Sequence, residues 1–225
     1  MLEAFRRISQ GADAAPTPKH QRRAVWCLGG NMSRPAAGEI PVSRRRPAAR
    51  KLARSVQPTA NERFFDKNDI IVSKTDLTGH LTYVNRTFMA ISDYDESELL
   101  GQPHSLIRHP DMPRVVFKLL WEQIQSGKEV FAYVKNMAKN GDFYWVLAHV
   151  TPSFAPSGEV LGYHSNRRVP DQRVVREVIT PLYRALKDIE DGAPDRRAGL
   201  DGSWQRLDAI LREKGLGYDE FVLGL

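Results

Sequence analysis

The stretch VFAYVKNMAKNGDFYWVLAHVTP, residues 130–152, decides the fold. Asn140-Gly141 divides it into two runs rich in β-branched and aromatic residues, Val130–Lys139 and Phe143–Pro152. An Asn-Gly pair tolerates the positive φ angles of a tight hairpin turn, so the runs read as paired antiparallel strands. Their length and apolar content predict a central place in the sheet. Downstream, Ser157-Gly158 marks another turn and Val160–Arg168 a third strand.

Upstream, Ile70, Ile71 and Val72 within Asp69–Lys74 predict a strand, Asp76–Gly79 a turn, and His80–Val84 the returning strand. Asn85 is placed to cap a short helix through Phe88, and Asp95–Leu100 reads as one more helical turn, ended by Gly101. Asp111–Ser126 is the clearest helix of this region. Pro113 sits near its start, where a missing N–H costs little. Val115, Val116, Leu119, Leu120 and Ile124 form its apolar face, Phe117 and Trp121 share a side, and Gly127 stops it. Two strands, short helices, one longer helix and three strands make an α+β fold around a single antiparallel sheet.

From Asp171 the apolar period lengthens. Val175, Val178, Ile179, Leu182, Leu186 and Ile189 predict an amphipathic helix. Gly192–Gly202 reads as a linker, Trp204, Leu207, Ile210 and Leu211 as a second helix, and Phe221-Val222-Leu223 as a short apolar end. These helices either cover the sheet or build a dimer.

Charge divides the chain. Residues 1–60 hold 12 Lys or Arg against 3 Asp or Glu, and the remaining residues are net acidic, although the whole carries +6. The expected organisation is a disordered, basic, Pro/Arg-rich tail (1–60), a folded domain (61–170) and a helical extension (171–225). Such a tail can touch nucleic acid or acidic membrane, but a solubilising segment without specific nucleic-acid binding is the reading adopted. Met32 is an alternative start, which would leave residues 1–31 untranslated. The one cysteine, Cys27, permits no intramolecular disulfide and no thiolate metal cluster, which suits a cytoplasmic protein. No apolar run reaches membrane-spanning length, and no hydrophobic signal segment comes after Arg6 and Arg7.

Phosphate-loop, dinucleotide, zinc-protease and nucleophile-elbow motifs are absent, so no enzyme is expected. Asp93, Asp95, Glu96 and Glu98 read as a solvated face. His80, His104, His109, His149 and His164 lack helical zinc spacing, so no metal site is expected. The densest polar feature is Gly101–Pro113, stiffened by Pro103, Pro110 and Pro113 and carrying His104, Arg108, His109 and Asp111. It reads equally as a loop holding an anionic or heteroaromatic ligand, or as an internal network in which Asp111 caps the helix and pairs with Arg108.

The span Thr75–Arg168 resembles the PAS domain of aerotaxis receptors. The resemblance rests on Thr75-Asp76 with Gly79, Tyr83–Phe88, Gly101–His104, Arg108–Pro113, Val134-Lys135-Asn136 and Lys139–Val146, in the family's order and spacing. Pro181-Leu182-Tyr183 also resembles the helix downstream of the domain in such receptors. The resemblance implies a PAS fold: a five-stranded antiparallel sheet with short helices on one side, here succeeded by C-terminal helices. It implies non-covalently bound FAD whose redox state is sensed. Carried over by motif, Asn85, His104, Arg108, His109, Asp111, Phe117, Trp121 and Asn136 would meet the cofactor, with Arg108 facing an anionic ring or a phosphate. It further implies signalling through proteins, to a chemoreceptor or kinase pathway in chemotaxis, or as a homodimer, with the helix from Asp171 as the coupling surface.

Two departures stand out. Val130 replaces a tryptophan that contacts the flavin in the family, and Met137-Ala138 replaces an arginine pair. Strand alternation directs Val130, Ala132, Val134 and Asn136 to one face and Phe131 and Tyr133 to the other, so Phe131 is no substitute ring. Two further readings therefore stand beside the FAD sensor. One is a gas sensor binding haem b through His104, His109 or His149; the other is a cofactor-free dimerisation or docking module. A flavin–cysteine photoreceptor is excluded, because Cys27 lies outside the domain.

Overall fold

The computed structural model describes residues 56–225, so all but the last five residues of the predicted tail, Cys27 included, lie outside the described residues. Five strands form one antiparallel sheet: β1 (Ile71–Thr75), β2 (Leu81–Val84), β3 (Val130–Met137), β4 (Phe143–Phe154) and β5 (Val160–Arg168). Their order is β2-β1-β5-β4-β3. Between β2 and β3 run α1 (Arg86–Ser92), α2 (Glu96–Leu99), a 3₁₀ turn (His104–Ile107) and α3 (Arg114–Gln125). After β5 come α4 (Gln172–Val174), a π turn (Val175–Ile179), α5 (Thr180–Gly192), α6 (Arg196–Lys214) and α7 (Tyr218–Leu223). This is the α+β arrangement expected, with a five-stranded antiparallel sheet and C-terminal helices.

Both predicted hairpins form where glycine permits positive φ: Gly79 at +82° and Gly141 at +98°. The core lies between the sheet and α1–α3, with Ile71, Phe88, Leu99, Val115 and Val146 fully buried. Asp111–Ser126 is helical only from Arg114, and Pro113 rather than Asp111 is the cap residue.

β3 lies at the sheet edge, not at the centre that its apolar run predicts. Its free side is covered instead. Phe131 N–H donates to Asp219 Oδ1 at 2.9 Å, the Tyr183 hydroxyl donates to the Tyr133 carbonyl at 2.7 Å, and His109 N–H reaches the Lys135 carbonyl at 3.3 Å. An edge covered in this way buries side chains as a central strand does.

The C-terminal helices take the first of their two predicted roles. Val174, Val175, Ile179, Tyr183 and Leu186 are buried within the chain, and the Tyr183 ring lies 6.2 Å from that of Trp145 on β4. Pro181 has no N–H with which to close the helical ladder, and the preceding turn widens to π geometry. The predicted linker shrinks to Ala193–Asp195. Asp195 caps α6 by accepting from Arg197 N and Ala198 N. Gly199 lies inside that helix, where a Cβ would stand 2.7 Å from the Glu190 carbonyl oxygen. The glycine serves a close helix crossing rather than a break.

Candidate functional site

A cavity of about 250 Å³ lies between α3 and the inward face of the sheet. Phe117, Leu120, Trp121 and Ile124 wall it from α3, and Val134, Ala148, Val150 and Tyr163 from the strands. Trp121 meets Tyr163 edge-on at 5.6 Å and packs against Gly79, where a Cβ would lie 3.0 Å from the indole. Thr78, Pro103 and Ser105, all exposed, form its mouth.

The rest of the lining is polar. Ser73 faces Ser165 directly across the β1–β5 ladder, and Arg167 stands two residues further along β5 on the same side. Arg167 is 2% exposed. Its Nη2 donates to Ser73 Oγ and to His104 Nε2, each at 2.5 Å, and its guanidinium lies 5.2 Å from the Phe88 ring centroid. No carboxylate pairs with it among the described residues, and burial lowers its pKa to about 10, so it stays cationic at neutral pH. Burial, and after it the charge of Arg167, pushes the His104 imidazole down to about 3. His104 is therefore neutral and accepts at Nε2. Three buried polar atoms on this lining, Arg167 Nη1, Asn136 Nδ2 and Ser165 Oγ, have no hydrogen-bond partner among the described residues.

A buried cation without an acid is costly, as are buried donors without acceptors. The set is complementary to an electron-rich or anionic heteroaromatic ring bearing its own acceptors. Size agrees: a cavity of about 150 Å³ holds one benzene ring, so this one admits a small fused ring system. The isoalloxazine of FAD fits that chemistry. An isoalloxazine there would meet the α3 wall with its apolar edge, and Arg167, Asn136 and Ser165 would be available to its polar atoms.

Of the residues expected at a cofactor, His104, Arg108, Phe117, Trp121 and Asn136 line this cavity. Arg108 stacks 4.1 Å over the Phe117 ring and donates from Nη2 to the Met112 carbonyl. The other three do not line it. Asn85 caps α1, its Oδ1 accepting from Phe88 N and Val72 N while its amide donates to the Ile70 carbonyl. His109 is buried beside Phe143, with Nδ1 accepting from Asp111 N. Asp111 is exposed and pairs with Lys135 Nζ at 2.7 Å, not with Arg108 as an internal network predicts. Ser73, Ser165 and Arg167 do not stand out in the sequence; the available signal is that polar residues share the inward face of β1 and β5 with Ile71 and Tyr163.

Among the three histidines considered for haem, only His104 lines the cavity, and an iron at its Nε2 would displace the bond from Arg167. His149 lies on the opposite face, stacked on Phe131 at 4.2 Å. Val130 is fully buried but does not line the cavity, and Met137 and Ala138 are buried away from it. Both departures from the family pattern therefore fall outside the cavity's own lining.

Residues 81–167 match the family model of the PAS fold. With the sheet order and helices above, this defines a PAS domain. The chain is 42% identical over 160 residues to the aerotaxis receptor of Escherichia coli (strain K12), a match covering 68% of this chain and 31% of the receptor. It is 26% identical over 103 residues to the nitrogen fixation regulatory protein of Klebsiella pneumoniae, covering 46% of this chain and 21% of that protein. A structure from a study of the light-oxygen-voltage domain mechanism with a flavin analogue matches with a TM-score of 0.45 and 15% identity, over 50% of this chain and 84% of that one. The chain carries a PAS sensory domain related to that of the aerotaxis receptor, and spans about a third or less of the length of these two curated relatives. No helix of the described residues is long and apolar enough to cross a membrane.

Proposed function

We propose that this chain is a cytoplasmic sensor that binds the isoalloxazine of FAD in the α3 cavity and reports its redox state, and through it oxygen, by protein contacts. The observation that carries the reading is Arg167, a buried cation without an acid among the described residues, beside Asn136 Nδ2 and Ser165 Oγ, which have no partner there. The relationship to the aerotaxis receptor supports it.

When bound, the flavin supplies reversible electron and proton uptake. The chain's own residues do the rest. Arg167 places a fixed positive charge where negative charge on the ring is favoured, and the low dielectric of the site strengthens it. Asn136 and Ser165 orient the ring by hydrogen bonds. Phe117 and Trp121 exclude water from one side. Pro103, Ser105 and Arg108 also line a larger groove that offers the outer part of the dinucleotide a path; Arg196 stands in it, while its Arg114 and Lys187 are paired with Glu190 and Asp191. His104, held neutral, orients rather than exchanges protons, and the site is one for binding rather than for turnover. Output then passes to a protein of a chemoreceptor or kinase pathway, or to a second copy.

The test is an absorption spectrum of the purified protein, oxidised and then reduced. A flavin spectrum that bleaches on reduction is expected. A protein that stays colourless with excess FAD refutes the reading.

A further inference from the structure

The carboxylate of Glu190, near the end of α5, is fully buried yet satisfied by two other helices. Its Oε2 accepts from Arg114 N at 2.8 Å and Arg114 Nε at 3.0 Å. Its Oε1 accepts from Val115 N at 2.9 Å and Ser203 Oγ of α6 at 3.1 Å. Arg114 and Val115 open α3, whose own cap residue, Pro113, offers no side-chain acceptor. Glu190 thus does across the fold what a capping aspartate does locally. It meets orphan N–H groups at the positive end of the helix dipole. The same helix sets Phe117, Leu120, Trp121 and Ile124 against the cavity.

We propose that Glu190 is the coupling through which the C-terminal helices read the state of the cavity. The proposal rests on the cavity being the ligand site. A packed helix moves as a unit, so an occupant that displaces the α3 wall also displaces the N–H groups of Arg114 and Val115. A carboxylate that stays buried after losing half its donors is strongly destabilised. The clasp is therefore two-state. Either all three bonds from α3 are made, or α5 and α6 leave together, with Ser203 still on Glu190, and the carboxylate enters water. Gly199 ties the two helices at van der Waals limit, so α6 moves with α5. Release of α5 also withdraws the Tyr183 hydroxyl from the Tyr133 carbonyl, which opens the edge of β3. Coupling of this kind is reciprocal: whatever factor the ligand exerts on helix docking, docking exerts on ligand affinity.

The experiment is hydrogen–deuterium exchange on the full chain, with and without FAD, in the wild type and in Glu190→Gln, Ser203→Ala and Asp219→Asn. FAD binding is monitored separately by fluorescence. In the wild type, FAD changes exchange in residues 180–214 at least fivefold, a typical coupling factor being about 5–150. Glu190→Gln abolishes that response while exchange changes within α3 persist, and shifts the FAD dissociation constant by the same factor. Ser203→Ala, which removes a single donor, weakens the response; Asp219→Asn, which loosens α7 away from α3, preserves it. A bound flavin with no wild-type change in 180–214, or an undiminished response in Glu190→Gln, overturns the coupling. Failure of FAD to bind overturns the cofactor reading instead. In that event Ala148→Phe, which fills the cavity from the sheet side, replaces the ligand. It must then raise exchange in 180–214 in the wild-type background and not in Glu190→Gln, and equal traces in both backgrounds overturn the coupling.

Discussion

Replacing Arg167 by methionine separates a residue kept for the fold from one kept for a ligand. The guanidinium is buried without a carboxylate among the described residues, and burial takes its pKa down from the usual arginine range to about 10. At 1.36 kcal/mol per pKa unit, that is about 3 kcal/mol against the folded state at neutral pH. The sign is that of a cation whose pKa is lower in the fold than in the unfolded chain. The cost is present in full below about pH 10 and fades as pH rises above it. Arg167→Met keeps most of the apolar volume and removes that cost. It also strips Ser73 Oγ and His104 Nε2 of a donor, about 1 kcal/mol each in a cavity that water can enter. Ligand-free stability is thus expected to be unchanged or to rise by about 1 kcal/mol, worth about 2–4 °C in Tm for a domain of this size. FAD affinity, by contrast, falls at least tenfold. Urea unfolding without flavin, and then a fluorescence titration with FAD, measures both. A structural arginine gives the opposite pattern, so a loss of more than about 2 kcal/mol with FAD affinity intact refutes the reasoning.

Three further outcomes are expected. His104 takes a proton only near pH 3 in the fold but near 6.5 when unfolded, so it drains stability as pH falls between those values, by up to about 1.4 kcal/mol per pH unit. Urea midpoints for His104→Gln measured from pH 7 to 4 should show a shallower decline than wild type, and parallel curves count against the neutral imidazole. Gly141 has φ +98° and a would-be Cβ 2.2 Å from the Gln57 carbonyl oxygen, so Gly141→Ala should lose about 2 kcal/mol or more in a thermal or urea melt. Asp142 is held far below the usual carboxylate range by hydrogen bonds from Asn140, Thr59 and Arg63. Its stabilisation is present above pH 3.8 and is lost as pH falls further, so exchange in residues 57–63 should rise on acidification in wild type and lack that step in Asp142→Asn.

Hairpins and helix faces were legible because their causes are local. Asn140-Gly141 and Thr78-Gly79 supply backbone conformations that few other residues accept, and Phe117 and Trp121 share a helix side by spacing alone. Alternation along β3 correctly separated Val134 and Asn136 from Phe131 and Tyr133. The edge position of β3 was not legible, because the groups covering it come from Tyr183 and Asp219. In the loop motif, His104 and Arg108 reach the cavity while neighbouring His109 and Asp111 are spent on each other and on Lys135. Residue types alone do not distinguish them.

The amino-acid sequence by itself determined the class of fold, the hairpin turns and the helix that walls the cavity. Tertiary structure alone decided the two residues on which the proposals turn. Arg167 and Arg168 are adjacent and chemically identical, yet one is buried and cationic among Ser73, His104 and Phe88 while the other is exposed. Glu190 sits in the run Asp188-Ile189-Glu190-Asp191, where nothing marks it from its acidic neighbours, until α3 arrives from 76 residues earlier to bond it. Periodicity states which residues share a face; which partner meets that face is settled by long-range packing, and it is the partner that turns a charge into a site.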